Sequence, residues 1–371
     1  MGMKKAALVT IFDVPNYGSV LQAFATLKII ENLGYDVTTI NYTRKNSWVR
    51  TKSGSHKVNF IKCLLNRLKI TTYGRLVGKL NNFRCSFLKL SKKFDSLEDL
   101  YEENWRNVDL FVTGSDQVWN TKYLYGDSVF LLSFVPEDKK RISFASSFAL
   151  NSLSPQFHDK YKKYLDKFSS ISVRENNGVK IIRDQLNLET EIKVLLDPTL
   201  LLSKSDWTRI SGIKNKSERY ILFYMLDYAF DPKPYIFEVA KFFKDKMDCK
   251  VLALAGYKRS SKANGLKMHN IGDSSVLEFV RLFANADLVI TSSFHGTAFA
   301  LNFGVPLISI IPNSGDDRQV SLLDSLGVGQ CAIRKNAQID KIDPFYDVEL
   351  EQKKLAVLRL DSLKWIEKNI N

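Results

Sequence analysis

Cysteine is sparse in these 371 residues. Cys63, Cys85, Cys249 and Cys331 are the only four, and no pair of them has CxxC or metal-site spacing. A disulfide framework and a structural zinc site are therefore not expected, and the thiols read as reduced residues of a cytosolic protein. No metal is expected at all. No apolar run is long enough to cross a bilayer. Lys4-Lys5 precedes a short apolar run, but Asp13 ends it and no small-residue cleavage site follows, so a signal peptide is not expected either. The first strand is not followed by GxGxxG, which removes the dinucleotide fingerprint. Glycine and proline, 18 and 9, are not enriched, and no internal repeat or low-complexity tract occurs.

Acidic residues are missing from one stretch altogether. Between Val37 and Phe94 there is no Asp or Glu, while 14 Lys and Arg occur there. That number equals the net charge of +14, so the rest of the chain is balanced. A charge confined to one segment argues against a nucleic-acid-binding protein. Within it, Ile61, Leu64, Leu65 and Leu68 fall on one helical face and Leu76, Leu80, Phe83 and Phe87 on another. A basic amphipathic insertion over about residues 44–94 follows, either packed with a solvated rim or resting on an anionic membrane face.

What is present alternates. Short β-branched runs (Ala6–Phe12, Val37–Tyr42, Leu110–Thr113, Ile142–Phe148, Ile171–Val173, Val194–Leu196) are separated by loops and helical patterns. The alternation restarts at Tyr220 after a polar connection, KNKSE. The expected fold is α/β, two Rossmann-like doubly wound domains facing across a cleft. The boundaries are drawn at 1–204 (acceptor side) and 205–345 (donor side), with a terminal helix over 346–371.

Chemistry gathers where strands end. In 286–310, ADLVITSSFHGTAFALNFGVPLISI, a buried strand runs through Ser292-Ser293 into a helix headed by His295, Gly296 and Thr297. Gly304 and Pro306 mark its stop. Free N–H groups at a helix start beside an imidazole and hydroxyls suit an anion. The bland alternative for His295 is a satisfied core histidine, but its position at the carboxyl end of a strand favours function. After Thr113 the run GSDQVWN offers Asp116, Gln117 and Trp119 as a carbohydrate-facing surface, carboxylate and amide for hydroxyls and indole for C–H faces. The first turn exposes Asn16, Tyr17 and Ser19 as a lip toward a ligand, or serves only as a helix entry. Arg174 reads as an anion ligand or as the partner of Glu175 or another acid. The loop after 311 carries Asp316-Asp317-Arg318.

Five stretches in this order, NYGSVLQAF, VTGSDQVWN, ISVRE, VLLDPTLLL and ITSSFHGTAFALNFGVPLISI, resemble the polysaccharide pyruvyl transferase family over roughly Ala6 to Arg334. The resemblance implies a fold similar to two-Rossmann glycosyltransferases. It also implies transfer of pyruvate from phosphoenolpyruvate to two hydroxyls of a saccharide, giving a cyclic ketal and phosphate without metal or cofactor. Carried onto this chain, the histidine is His295, and the donor-binding arginines are Arg174 and Arg318. His295 would protonate the donor, Ser292 and Ser293 with the helix start would hold phosphate, and Asp116 would serve the attacking hydroxyls. The acceptor is expected to be a saccharide, lipid-diphosphate-linked, reached in the cytoplasm at the inner membrane face. Two other classes compete. A nucleotide-sugar glycosyltransferase on this fold would want a carboxylate on the helix after His295, where no Asp or Glu occurs between Asp287 and Asp316. A non-catalytic saccharide-binding protein would release no phosphate with any acceptor.

Overall fold

The central β-branched runs, such as Leu110–Thr113 and Leu288–Thr291, become short strands buried on both faces, the pattern that parallel sheets covered by helices require. The computed structural model describes residues 2–44, 65–213, 218–254, 265–313 and 318–370. The chain divides into two units, the first made of residues 1–60, 81–201 and 358–371 and the second of 61–80 and 202–357.

In unit 1, β1 (Lys4–Val9), β2 (Tyr35–Tyr42), β3 (Leu90–Phe94), β4 (Leu110–Thr113) and β5 (Lys140–Ser143) form a sheet in the order β3-β2-β1-β4-β5. Every pairing in it is parallel. A parallel pair, β6 (Ile171–Val173) and β7 (Ile192–Val194), follows β5 through bridges at Ile142–Ser170 and Ser146–Val173. In unit 2, β8 (Tyr220–Tyr224), β9 (Lys250–Leu254), β10 (His269–Asn270), β11 (Leu288–Thr291), β12 (Leu307–Ile311) and β13 (Ala332–Arg334) lie in the order β10-β9-β8-β11-β12-β13, again all parallel. Counted within each unit, the orders run 3-2-1-4-5 in unit 1 and 3-2-1-4-5-6 in unit 2, the doubly wound Rossmann arrangement. The order reverses between β1 and β4 in one sheet and between β8 and β11 in the other. In open α/β sheets, ligands bind outside the carboxyl ends of the strands at that reversal.

The terminal helix is not a separate segment. Val348–Ile370 begins in unit 2 and ends in unit 1. Gln352 donates to the Leu301 carbonyl at 2.7 Å within unit 2, while Arg359 donates to the Leu200 carbonyl at 2.7 Å and Tyr35 to that of Ile370 at 2.7 Å within unit 1. The boundary drawn at 204/205 falls in the structure between Leu201 and Leu202.

The basic stretch lies partly outside the described residues, Ile61 and Leu64 of its first apolar face included. So do the 256–261 loop, Lys214–Ser217 and Asp316-Asp317. Its second face forms the helix Thr72–Phe87, with Leu76, Leu80 and Phe83 buried. Phe83 and Phe87 stack at 4.5 Å and meet Phe24 edge-on at 5.5 and 5.9 Å. Most of that apolar face is consumed by packing, Phe87 remaining 39% exposed. Among the described residues, five of its cations form ion pairs: Arg44 with Asp13, Arg75 with Asp273, Lys89 with Glu31, Lys92 with Glu103 and Lys93 with Asp95. Among the described residues no helix is long and apolar enough to cross a membrane.

Candidate active site

In unit 2 the strand β11 stops at Thr291, and the next residues tie it to its neighbour across the reversal. Thr291 donates from Oγ1 to the Tyr224 carbonyl at 2.6 Å. The Ser292 hydroxyl donates to the Leu226 carbonyl (2.8 Å) and accepts from the Leu226 N–H (2.9 Å). Ser293 is the N-cap of the helix Phe294–Phe303, its hydroxyl accepting the Gly296 N–H at 3.3 Å. The Thr297 hydroxyl meets Ser309 Oγ at 2.8 Å, and Gln319 Nε2 donates to Ser309 at 2.7 Å. Ser292, Ser293 and Thr297 were expected to face a phosphate, but these hydroxyls instead knit the strand ends and the helix start together. Sequence spacing puts a hydroxyl near a ligand edge, but only the fold decides which oxygen it meets.

All ten residues of Phe294–Phe303 are buried, and Gly304 closes the helix at φ 68°. His295, 5% exposed, occupies its second position. The Phe294 ring lies edge-on to the imidazole, centroids 5.4 Å apart, and the Arg318 guanidinium stands 5.9 Å from the centre of the same ring. One aromatic thus gathers an imidazole and a guanidinium at the reversal point of unit 2. Arg318 is buried and opens the helix Arg318–Leu326.

Gly296 was expected to bring backbone to a phosphate. What it permits is packing. A Cβ there would lie 2.3 Å from Thr291 Oγ1 and 3.1 Å from Tyr224 Cδ1. Alanine would gain about 1 kcal/mol of helix propensity. Thr291 is fixed by two hydrogen bonds and cannot turn away, so overpacking of about 1–3 kcal/mol wins. Gly296→Ala is expected to lower the urea midpoint, and an unchanged midpoint would show that the helix can shift.

Unit 1 builds a second cluster at its own reversal. Asp116 follows β4 in a left-handed turn, φ 72°, a conformation that aspartate adopts more readily than most non-glycine residues. Ser19 donates to its carboxylate at 2.6 Å, and Arg174 Nη2 lies 3.8 Å from the other oxygen. Arg174 pairs chiefly with Asp197, Nη1 to Oδ2 at 2.6 Å, both side chains 1% exposed or less. Ser115 donates to Asp197 at 2.8 Å, and Thr199 donates to its other oxygen from N–H (2.9 Å) and hydroxyl (2.7 Å). Gln22 links Thr10 and the Ser19 carbonyl, and Thr10 reaches the Ser115 carbonyl. The first four motif stretches therefore meet in one buried polar network. Sequence reasoning named Asp116 and Arg174 but not Asp197, Ser115 or Gln22. The Asp-Pro-Thr run after a buried strand was the available signal.

Glu175 is not the partner of Arg174. Its carboxylate accepts from Ser147 and from the Phe148 and Ala149 N–H groups at 2.9–3.1 Å.

Three further expectations are corrected. Trp119 is fully buried; its indole N–H goes to the Phe130 carbonyl (3.1 Å) and its ring packs on Phe148 and Phe168. A large ring whose one donor has an internal partner belongs in the core, so Trp119 offers no sugar platform. Gln117 is buried and accepts from Asn120 Nδ2 at 2.7 Å, holding its own turn. Asn16 and Tyr17 are not a lip: the helix starts at Tyr17, Asn16 caps it by accepting the Gly18 N–H at 2.8 Å, and Tyr17 and Ser19 are buried. Among the described residues no group of His, Cys, Asp and Glu could hold a metal ion.

A protein described as a UDP-N-acetylglucosamine 2-epimerase from Listeria monocytogenes matches at TM-score 0.56 and 11% identity, over 96% of this chain and 91% of its own. That likeness supports the two-Rossmann α/β fold. The UDP-GlcNAc 2-epimerase from Methanocaldococcus jannaschii matches at 0.48 and 12%, over 96% and 99%. UGT89C1 of Arabidopsis thaliana, complexed with UDP-L-rhamnose, matches at 0.46 and 11%, over 99% and 94%. No curated protein matches the sequence. The model of the polysaccharide pyruvyl transferase family matches residues 16–314, a span that includes Ser19, Asp116, Arg174, Asp197 and His295. The chain belongs to the polysaccharide pyruvyl transferase family.

Proposed function

We propose that the protein transfers pyruvate from phosphoenolpyruvate to two hydroxyls of a saccharide, forming a cyclic ketal and inorganic phosphate, during cell-surface polysaccharide synthesis. The observation that carries this reading is His295 and Arg318 sharing the Phe294 ring at the strand-order reversal of unit 2. Phosphoenolpyruvate is a small dianion-plus-carboxylate, and a guanidinium recognises either group in planar, bidentate fashion.

The chemistry then balances as follows. His295, as imidazolium, delivers a proton to C3 of the enol, so C3 becomes a methyl group and C2 an electron-poor cation. One acceptor hydroxyl bonds to C2 and gives up its proton. The C2–O bond to phosphate breaks, and the second hydroxyl closes the ring at C2. Of the two hydroxyl protons, one leaves on phosphate and the other restores the imidazolium. No electron pair is gained or lost overall. Arg318 holds the departing phosphate. In unit 1, Asp116 accepts from the acceptor hydroxyls, oriented by Ser19 and by Arg174, which Asp197 holds in place. Arg174 is therefore assigned to positioning Asp116 rather than to gripping the donor.

The deciding assay is phosphate release from phosphoenolpyruvate across galactose-, mannose- and glucuronate-type acceptors, with product mass read alongside. A ketal adds the mass of pyruvate less one water. Phosphate release without that product, or binding of a UDP-sugar in preference to phosphoenolpyruvate by calorimetry, would refute the assignment.

A further inference from the structure

Unit 1 contains a cavity of about 310 Å³ at the carboxyl end of β2, and neither Asp116, Ser19 nor Arg174 lines it. Its walls include Tyr42, Arg44, Glu98, Tyr125, Asp127 and Lys160. Chain order links it to the GSDQVWN turn: Asn120 caps the short helix Thr121–Leu124, Tyr125 and Gly126 turn back, and Asp127 caps the 3-10 turn Ser128–Leu131 by accepting the Val129 N–H. The Phe130 carbonyl in that turn receives Thr113 Oγ1 at the end of β4 and the Trp119 indole. The cavity wall is thus braced on the same strand end that presents Asp116.

Tyr125 is the telling residue. It occupies the left-handed position that ends a helix, φ 52°, where glycine or asparagine is the easy choice. Gly126, also left-handed at φ 67°, follows it. The ring is 59% exposed at the cavity rim, although a bulky side chain at positive φ carries a backbone cost. Burial gains it little, so the packing of the fold does not account for it. Facing it, Tyr42 donates to Asp127 Oδ2 at 3.2 Å. Among the described residues its lining carries charges of both signs, Arg44 (paired with Asp13) and Lys160 beside Glu98 and Asp127. Burial pushes the Asp127 carboxyl up from its ordinary value, against the Val129 N–H and the Tyr42 hydroxyl.

We propose that this cavity binds a neutral sugar unit of the saccharide chain, distinct from the unit that offers its hydroxyl pair to Asp116. The chemistry matches: phenol rings cover the C–H face of a pyranose, and carboxylate and cationic groups pair with its hydroxyls. The inference rests on the reading that the acceptor is a saccharide, and it adds that the enzyme reads more than one residue of it.

The test is calorimetry of the full-length protein without phosphoenolpyruvate, titrated with galactose-, mannose- and glucuronate-containing tetrasaccharides and their methyl monosaccharides. At least one tetrasaccharide should bind more tightly than its monosaccharide. Tyr125→Ala and Asp127→Asn should each weaken it about tenfold, while Tyr125→Phe retains it. Phosphate release with a monosaccharide acceptor should be unchanged in all three. Equal tetrasaccharide affinity in wild type and variants, or no tetrasaccharide preferred over its monosaccharide, would overturn the proposal. Loss of tetrasaccharide binding in Tyr125→Ala together with no phosphate release by the wild type would instead leave the cavity assigned and remove the pyruvyl-transfer reading.

Discussion

His295→Gln is expected to lower phosphate release from phosphoenolpyruvate by about 10²–10⁴-fold, the usual range for removing a general acid. Glutamine roughly keeps the volume of the ring at a position that is 5% exposed, so the thermal midpoint should move little. The effect should fall on kcat, because the proton is needed in the transition state and not for binding. Arg318→Lys makes the contrast: charge is kept, the planar fork is lost, and KM for phosphoenolpyruvate should rise while kcat falls less. A His295→Gln enzyme that turns over at the wild-type rate would remove the imidazole from the chemistry.

The second large effect concerns stability. Asp197→Ala is expected to cost about 3–5 kcal/mol in urea unfolding, because it strands a buried guanidinium whose closest carboxylate has gone. Asp116, 3.8 Å from Arg174, is too distant to take over the 2.6 Å contact without moving. Adding Arg174→Met to Asp197→Ala should recover part of the loss, since the orphaned charge goes with it. Additive losses in the double variant would mean the two side chains act independently, contrary to their geometry.

The central strands and their order of appearance were legible, because runs such as Leu288-Val289-Ile290 are β-branched, short and bounded by turns. The edge strands were not: Leu90–Phe94 carries two lysines inside the stretch read as a helical insertion, and His269–Asn270 and Ala332–Arg334 are too short to show a pattern. His295 was legible for the same reason: a strand, a polar turn and a helix follow one another within ten residues. Trp119 was not. Whether an indole faces sugar or core depends on a carbonyl eleven residues away, and no local pattern encodes that. The partners that Ser292 and Ser293 meet, the Leu226 backbone and the Gly296 N–H, were hidden on the same ground. The pairing of Arg174 with Asp197 spans 23 residues and a chain reversal, so sequence could offer only a choice of acids. The basic stretch was legible as a charge anomaly but not in its use, because its acidic partners come from outside it.

The helix that carries His295 has no face on solvent. Evolution therefore cannot tune the imidazole by altering a bystander on the outside of that helix, as enzymes with surface-mounted catalytic residues can. A shift of that helix would disturb Phe299, which packs edge-on to Phe279, itself packed on Tyr224, and these side chains also hold unit 2 together. Under the chemistry proposed for His295, reactivity and rigidity fall under joint control, and variants selected for one should carry a measurable change in the other.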